Sequence, residues 1–254
     1  MIAYFLRKLK AISKLPSEQE KNASRHIPLA QLDEVASDLP SSEAFNSDLQ
    51  LVELLRQGDE GAFTHLFNRY YASMLRFAHI YASKYTKEIV QEAWSIVLKH
   101  LNDFNGQIAL KVWIFRFLRE STRVHIQAEG NTIPDYSKLN ISATYAYPTV
   151  APWRFFAKGN PETEGRWEFP PQRWRGSTQA SSSSSKIGTY LQQTIEKLPL
   201  ELQEIVTLRD IEGWTADEVC SLLEITDENQ RVLLHHARTQ VRQALEHYFK
   251  GEQA

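Results

Sequence analysis

The sequence predicts an all-α protein of two small helical domains joined by a long flexible linker. Apolar residues recur every three or four positions in two separate stretches, 48–127 and 188–254, the period of helices with one buried face. Between them the period collapses: six of the ten prolines and the run Ser181 to Ser185 fall within 128–187. The breaks inside each stretch are short, as in helices that fold back on their neighbours.

Residues 1–47 are polar and irregular, carry Pro16, Pro28 and Pro40, and are expected to be a disordered N-terminal extension. Leu49 to Gln57 reads as a first helix, stopped by Gly58. The next carries Phe63, Leu66, Phe67, Tyr70, Met74, Phe77, Ala78 and Tyr81 on one face. A third follows Thr86, read as its N-cap, with Ile89, Val90, Ala93, Val97 and Leu101 aligned. Asn105-Gly106 marks a turn before a fourth helix holding Trp113, Phe117, Leu118 and Val124. The linker, 128–187, holds three of the six tryptophans: Trp153, Trp167 and Trp174. Two readings stand for them, local stickiness without function or anchors for a groove on a partner. In the C-terminal stretch, Tyr190, Leu191, Ile195 and Leu198 make a helix ended by Pro199. Leu202, Ile205, Val206 and Leu208 make the next, and Gly213 punctuates it. Thr215 and Glu218 fit a capping box that opens a short helix ending near Glu224, and Thr226 or Asp227 caps a long last helix.

Helix, Gly-bearing break, short helix, tight turn and long helix is the layout of a helix-turn-helix, in which one helix is held out to enter a DNA groove. On a wheel of about 100° per residue, Leu234, Ala237, Val241, Ala244, Leu245 and Tyr248 of the last helix fall on an inward arc. Val232, His235, His236, Thr239 and Gln243 fall opposite, with Arg231 and Arg242 at the shoulder. The first turns of such a helix supply base contacts, so Asn229, Arg231, Val232, His235 and His236 are the candidate readers. The bland alternative is a solvated face of a protein-binding helix. Adjacent His235 and His236 diverge by about 100° on a helix and no Cys/His set of ligand spacing accompanies them, so no metal is expected.

Composition narrows the function. No Gly-rich phosphate loop or nucleophile motif is present, so neither a catalytic residue nor a cofactor is expected and the chain does not read as an enzyme. No apolar run is long enough for a membrane span, and Met1 to Lys10 lacks the apolar core of a signal peptide. The lone Cys220 cannot make an internal disulfide, which fits a cytoplasmic location. Net charge is −2, but it is unevenly spread. Residues 48–126 carry ten Lys/Arg against eight Asp/Glu, whereas 188–254 carry six against twelve. An acidic DNA-binding domain should grip DNA weakly, and with strong salt dependence, unless a partner carries it there.

These residues resemble a known family, the sigma-70 RNA polymerase sigma factors of the extracytoplasmic-function (ECF) subgroup. LVELLRQGDEGAFTHLFNRYYASMLRFA (51–78), KEIVQEAWSIVLKHLNDF (87–104) and KVWIFRFLR (111–119) resemble helices of the family's region 2. LPLELQEIVTLRDIEGWTADEVCSLL (198–223) and NQRVLLHHARTQVR (229–242) resemble the two halves of region 4, and GRWEFPPQRW (165–174) is similar to linkers of some members. The resemblance covers 50–127 and 190–248 in the family's order. It implies region 2 at 48–127, region 4 at 188–254, core RNA polymerase and promoter DNA as partners, an anti-sigma factor as a further one, and no small-molecule substrate. By motif match, Gln91, Glu92, Ser95 and Leu98 would face the polymerase clamp. The loop Phe104 to Leu110 would hold a flipped −10 base, and Lys111, Trp113, Arg116, Arg119 and Arg123 would line the promoter strand, where aromatic and guanidinium groups stack on exposed bases. Trp113 reads equally as a core residue. Arg231, Val232, His235 and His236 match positions that contact the −35 element, and Asn229 and Thr215 complete that set. This chain departs from the pattern at Glu120-Ser121, where many members have Asn-Arg, and at His236, where Arg is common and whose charge would depend on pH. The alternatives are a degenerate sigma-like adaptor that binds polymerase without reading promoters, and a stand-alone helix-turn-helix regulator.

Overall fold

The computed structural model describes residues 48–128, 132–147 and 180–251, together with Arg154, Arg166 and Glu168. The expectations for residues 1–47 and for Trp153, Trp167 and Trp174 lie outside the described residues. Among the described residues every regular element is helical.

The N-terminal block contains α1 (Asp48–Gln57), α2 (Glu60–His79), α3 (Thr86–Lys99) and α4 (Leu110–Ala128). Asp59 accepts from the Ala62 backbone N–H at 2.6 Å and starts α2, satisfying one of the donors that a helix leaves open at its first turn. Phe63, Leu66, Phe67, Tyr70, Met74 and Phe77 are then buried at the spacing the sequence shows. They close around Trp94 of α3, which is fully buried, its ring 5.4 Å from Phe67 and 6.1 Å from Phe63. Thr86 does not cap α3. Its hydroxyl donates backward to the Ala82 carbonyl at 2.9 Å, because a short 3-10 turn, Ser83–Tyr85, runs straight into the helix. Gly106 takes φ +76 in the loop before α4, and a Cβ there would stand 2.8 Å from Leu49 Cδ2, so both backbone and space require glycine.

The segment expected to be pure linker contributes to the fold. Ile133, Tyr136, Ile141 and Tyr145 are buried, the last two in or beside the single turn α5 (Ile141–Thr144). Four apolar or aromatic side chains in 132–147 offered enough buried surface to order it, although prolines and irregular spacing conceal any period. Helix α6 (Ala180–Glu196) begins before residue 188, its first turns formed by the serine run.

The C-terminal block continues with α7 (Leu200–Val206), a π-helical turn (Thr207–Ile211), α8 (Ala216–Leu223) and α9 (Asp227–Gly251). The π turn closes with the Glu212 N–H donating to the Thr207 carbonyl at 2.9 Å, and Gly213 at φ +68 turns the chain into α8. The capping box is present: the Thr215 hydroxyl accepts from the Glu218 N–H at 3.3 Å and the Thr215 N–H donates to Glu218 Oε2 at 2.9 Å. Thr226 caps α9 by accepting from the Asn229 N–H at 3.2 Å. Between α8 and α9, Glu224 adopts φ 58, a left-handed conformation normally given to glycine. Glu224→Gly is expected to stabilise the protein by about 0.5–1 kcal/mol, read from chemical denaturation, because a Cβ is disfavoured there.

The core does not stop at the block boundary. One continuous set of buried side chains runs from Leu51 to Ala237 and joins the two blocks where Phe115 of α4 meets Trp214 ahead of α8, ring centroids 4.8 Å apart and edge to face. No helix among the described residues is long and apolar enough to cross a membrane.

Candidate nucleic-acid and polymerase interface

Helix α4 and the α8–α9 pair carry most of the residues singled out from sequence. In the loop ahead of α4, Asn105, Gly106, Gln107 and Ala109 are exposed while Phe104 and Leu110 are buried. Arg56 of α1 braces this loop from behind, donating to the Leu101 carbonyl at 3.2 Å and the Phe104 carbonyl at 2.7 Å. Asp48 accepts from the Leu110 N–H at 3.3 Å, so a carboxylate sits at the positive end of α4. Trp113 is half-buried between Phe104, at 5.3 Å, and Phe117, at 4.9 Å. It therefore serves both readings, its ring packed by neighbours and part of it accessible.

The α4 cations are not equivalent. Arg123 is exposed and tied to Glu120 on its own helix, Nε to Oε2 at 2.8 Å. Lys111, Arg116 and Arg119 instead face the C-terminal block. Lys111 Nζ is 2.7 Å from Glu218 Oε2 and 4.9 Å above the Trp214 ring. Arg116 donates to the Ser221 carbonyl at 2.9 Å. Arg119 donates to the Pro134 carbonyl at 3.1 Å and lies 3.7 Å from Glu204. Ser121 is buried against the core, so a cation at that position would have no route to solvent, and Glu120 is spent on Arg123.

Glu204, which sequence reasoning passed over, is fully buried. The Tyr136 hydroxyl donates to it, and burial pushes its carboxyl well above the usual carboxylate range while lowering the Arg119 guanidinium beside it. The folded chain therefore holds this proton at pH values where the unfolded chain has released it. This group's contribution to stability falls as pH rises above the ordinary carboxylate pKa. Glu204→Gln should become progressively more stable relative to the parent between pH 5 and pH 8; denaturation midpoints that stay parallel across that range would remove Glu204 as the titrating group.

On α9, Arg231 and His235 are exposed and Val232 and Asn229 are half-buried, at the start of the helix where a reading face is expected. Arg231 Nη2 stands 2.5 Å from Asp227 Oδ2, one turn back. Thr215 is exposed at the start of α8, its hydroxyl occupied by the cap. His236 departs from the expectation. It is 5% exposed, its ring 5.0 Å from Tyr145 and 4.8 Å from Tyr147. Burial, then the neighbouring His235, lowers its pKa, so it is a neutral packed ring here and not an accessible reader. The helical wheel missed this because residues 132–147 supply a second layer over α9 that no local period reveals. Leu233 and Gln230 of α9 are also buried.

On α3, Gln91 and Ser95 are half-buried and Glu92 is exposed, with His125 Nε2 2.8 Å from Glu92 Oε2. Leu98 is 7% exposed and belongs to the core, since it shares the inward face with Trp94 and Val97. It cannot offer its side chain to a partner as the motif implied. No group of three or more His, Cys, Asp or Glu with metal-holding geometry occurs among the described residues.

Comparison with known proteins places this arrangement. Residues 189–241 match the family model of sigma-70, region 4, which is the stretch from α6 through the helix-turn-helix. The chain is 26% identical over 203 residues to the RNA polymerase sigma-H factor of Pseudomonas aeruginosa, an alignment covering 78% of this chain and 94% of that one. It is 24% identical over 197 residues to the ECF RNA polymerase sigma-E factor of Haemophilus influenzae, covering 77% and 93%. The solved structure of CnrH in complex with the cytosolic domain of CnrY aligns with a TM-score of 0.48 at 14% identity, over 78% of this chain and 97% of that one. The two sequence alignments are long enough to take in both helical blocks, and the family model falls on the helix-turn-helix itself. Residues 189–241 thus match sigma-70 region 4, and over about three quarters of its length the chain is similar to RNA polymerase sigma factors, ECF sigma-E factors among them.

Proposed function

We propose that residues 48–127 act as region 2 and residues 188–254 as region 4 of a promoter-specificity factor that binds core RNA polymerase and directs transcription initiation. The exposed parts of α3 at Gln91, Glu92 and Ser95 meet the polymerase. Helix α4, with Lys111, Trp113, Arg116, Arg119 and Arg123, lines the −10 strand, and the loop from Asn105 to Ala109 takes an unstacked base. The start of α9, with Asn229, Arg231, Val232 and His235, reads the −35 duplex in the major groove, with Thr215 at the edge of the site. The observation that carries this reading is a helix bearing four cations and a partly open tryptophan, built into one molecule with a helix-turn-helix. Phosphate neutralisation and base stacking need that combination.

The reading involves binding and no catalytic step, and places the chain in the cytoplasm with the polymerase. An anti-sigma factor is the class of protein that would hold it inactive. In vitro transcription with core polymerase and genomic DNA tests it: new start sites that share an upstream and a downstream element are expected. Stable polymerase binding without such start sites would reduce the chain to an adaptor, and operator binding with no polymerase contact would make it a stand-alone regulator.

A further inference from the structure

Four rings run in a row from the loop ahead of α4 to the end of α3. Phe104 opens the loop and is buried, and Trp113 stands 5.3 Å from it and 4.9 Å from Phe117, edge to face with both. Phe117 is then covered by His100, the C-cap of α3, with ring centroids 5.6 Å apart and 24° between the planes. The His100 side chain is 51% exposed, as expected of a ring covered on one face only. Its Nδ1 is 2.7 Å from Asp103 Oδ2, which fixes the plane of the imidazole and leaves Nε2 at the opposite edge. The turn that carries both residues, Leu101–Asp103, is held in place by Arg56 through the Leu101 and Phe104 carbonyls. A cationic or polar side chain at the end of α3 would satisfy the helix terminus without a ring beneath it or a carboxylate fixing its plane.

We propose that the outer face of His100 is a second base-stacking site for single-stranded promoter DNA, beside the loop that takes the unstacked base. The proposal rests on the reading of that loop and of α4 as the promoter-strand surface, and adds a residue that lies outside both. Three features set the occupant. Asp103 and Phe104 are neighbours in the chain, so the site is continuous with the loop, and a strand with one base in the loop brings a neighbouring base within reach of the ring. A single flat face suits a base, whereas a protein anchor fills a shaped apolar pocket. The carboxylates beside the row are already matched, Asp103 by His100 and Glu120, one turn on from Phe117, by Arg123, so neither opposes a phosphate as a bare charge. Every base has a π-face, so His100 carries no sequence code. It lengthens the stretch of melted strand that the factor holds, and contributes to strand holding and not to base choice.

The test uses holoenzyme formed from the full chain and core polymerase, and a fluorescent single strand with the non-template sequence of a promoter mapped by in vitro transcription. His100→Ala is expected to weaken strand binding about fivefold, the low end for loss of one base–aromatic stack, at unchanged affinity for core polymerase. His100→Phe keeps a flat ring without the Asp103 pair, and should bind within about twofold of the parent. The slope of log affinity against log salt should be the same for all three proteins, because a stack neutralises no phosphate. A scan of single abasic positions then locates the base: one position beside the loop-bound base should weaken the parent and leave His100→Ala unaffected. A salt slope smaller by about 0.7 for His100→Ala would make the residue a phosphate contact, and equal losses from His100→Ala and His100→Phe would make it a hydrogen-bonding or structural one. Either result overturns the stack. So does an equal loss of core polymerase affinity, which would assign the ring to the polymerase surface. Start sites with none of these His100 effects reject only the stacking site, and absent start sites reject the promoter reading on which it rests.

Discussion

Phe115→Ala is expected to cost about 3–5 kcal/mol in folding stability, the range for emptying a fully buried aromatic site. Phe115 is 0% exposed and packs edge to face on two sides, 5.8 Å from Phe77 within its own block and 4.8 Å from Trp214 in the other. Such aromatic pairs contribute beyond the area they bury. The substitution thus opens a cavity in the N-terminal bundle and removes the apolar contact that joins the blocks. Urea denaturation measures the first effect. Trp214 emission measures the second, with a shift to longer wavelength as water reaches the indole. Phe77→Ala should cost a similar amount through the bundle while leaving Trp214 emission near that of the parent. A loss under 1 kcal/mol for Phe115→Ala would mean that the blocks are not joined through this ring.

Arg231→Ala is expected to weaken holoenzyme binding to a −35 duplex by about 1–3 kcal/mol while leaving polymerase affinity unchanged. The side chain is exposed near the start of α9 and held 2.5 Å from Asp227. An exposed pair of this kind contributes little to folding, so the loss should be confined to DNA. Removing Arg231 also leaves Asp227 facing the phosphates without a counter-charge. Asp227→Asn should therefore act in the opposite direction, tightening duplex binding by up to about 1 kcal/mol as the guanidinium is released. Titration of a labelled duplex at two salt concentrations checks both. Equal affinity for the parent and Arg231→Ala would remove Arg231 from the reading set.

What was legible in the sequence was local. The buried faces of α2 and α3, the Thr215–Glu218 capping box, the Thr226 cap and the Gly213 break all follow from contacts within a few residues. What misled was anything decided by a second layer. Trp94 lies on the same face as Val97 and becomes the centre of the bundle because two rings of α2 close on it. Leu98 matches a partner-facing motif position, yet α3 turns it inward. His236 lies on the polar arc of the wheel, yet Tyr145 and Tyr147 cover it. The C-terminal carboxylates were visible as a net charge, which is the signal that could have pointed to them, but their partners on α2 and α4 lie more than 80 residues away in the chain.

The sequence by itself determined the main helices, their order, the helix-turn-helix and the family resemblance, because periodicity, caps and turn residues act over one or two helical turns and the motifs stand in a fixed order. Only the tertiary structure decided which predicted contact residues are accessible. Lys111, Arg116, Arg119, Leu98 and His236 each carry the residue type their motif implies, but their exposure depends on what packs against them from distant parts of the chain. Burial against distant segments has no sequence period, and here it turned an acidic domain and a basic helix into two sides of one contact.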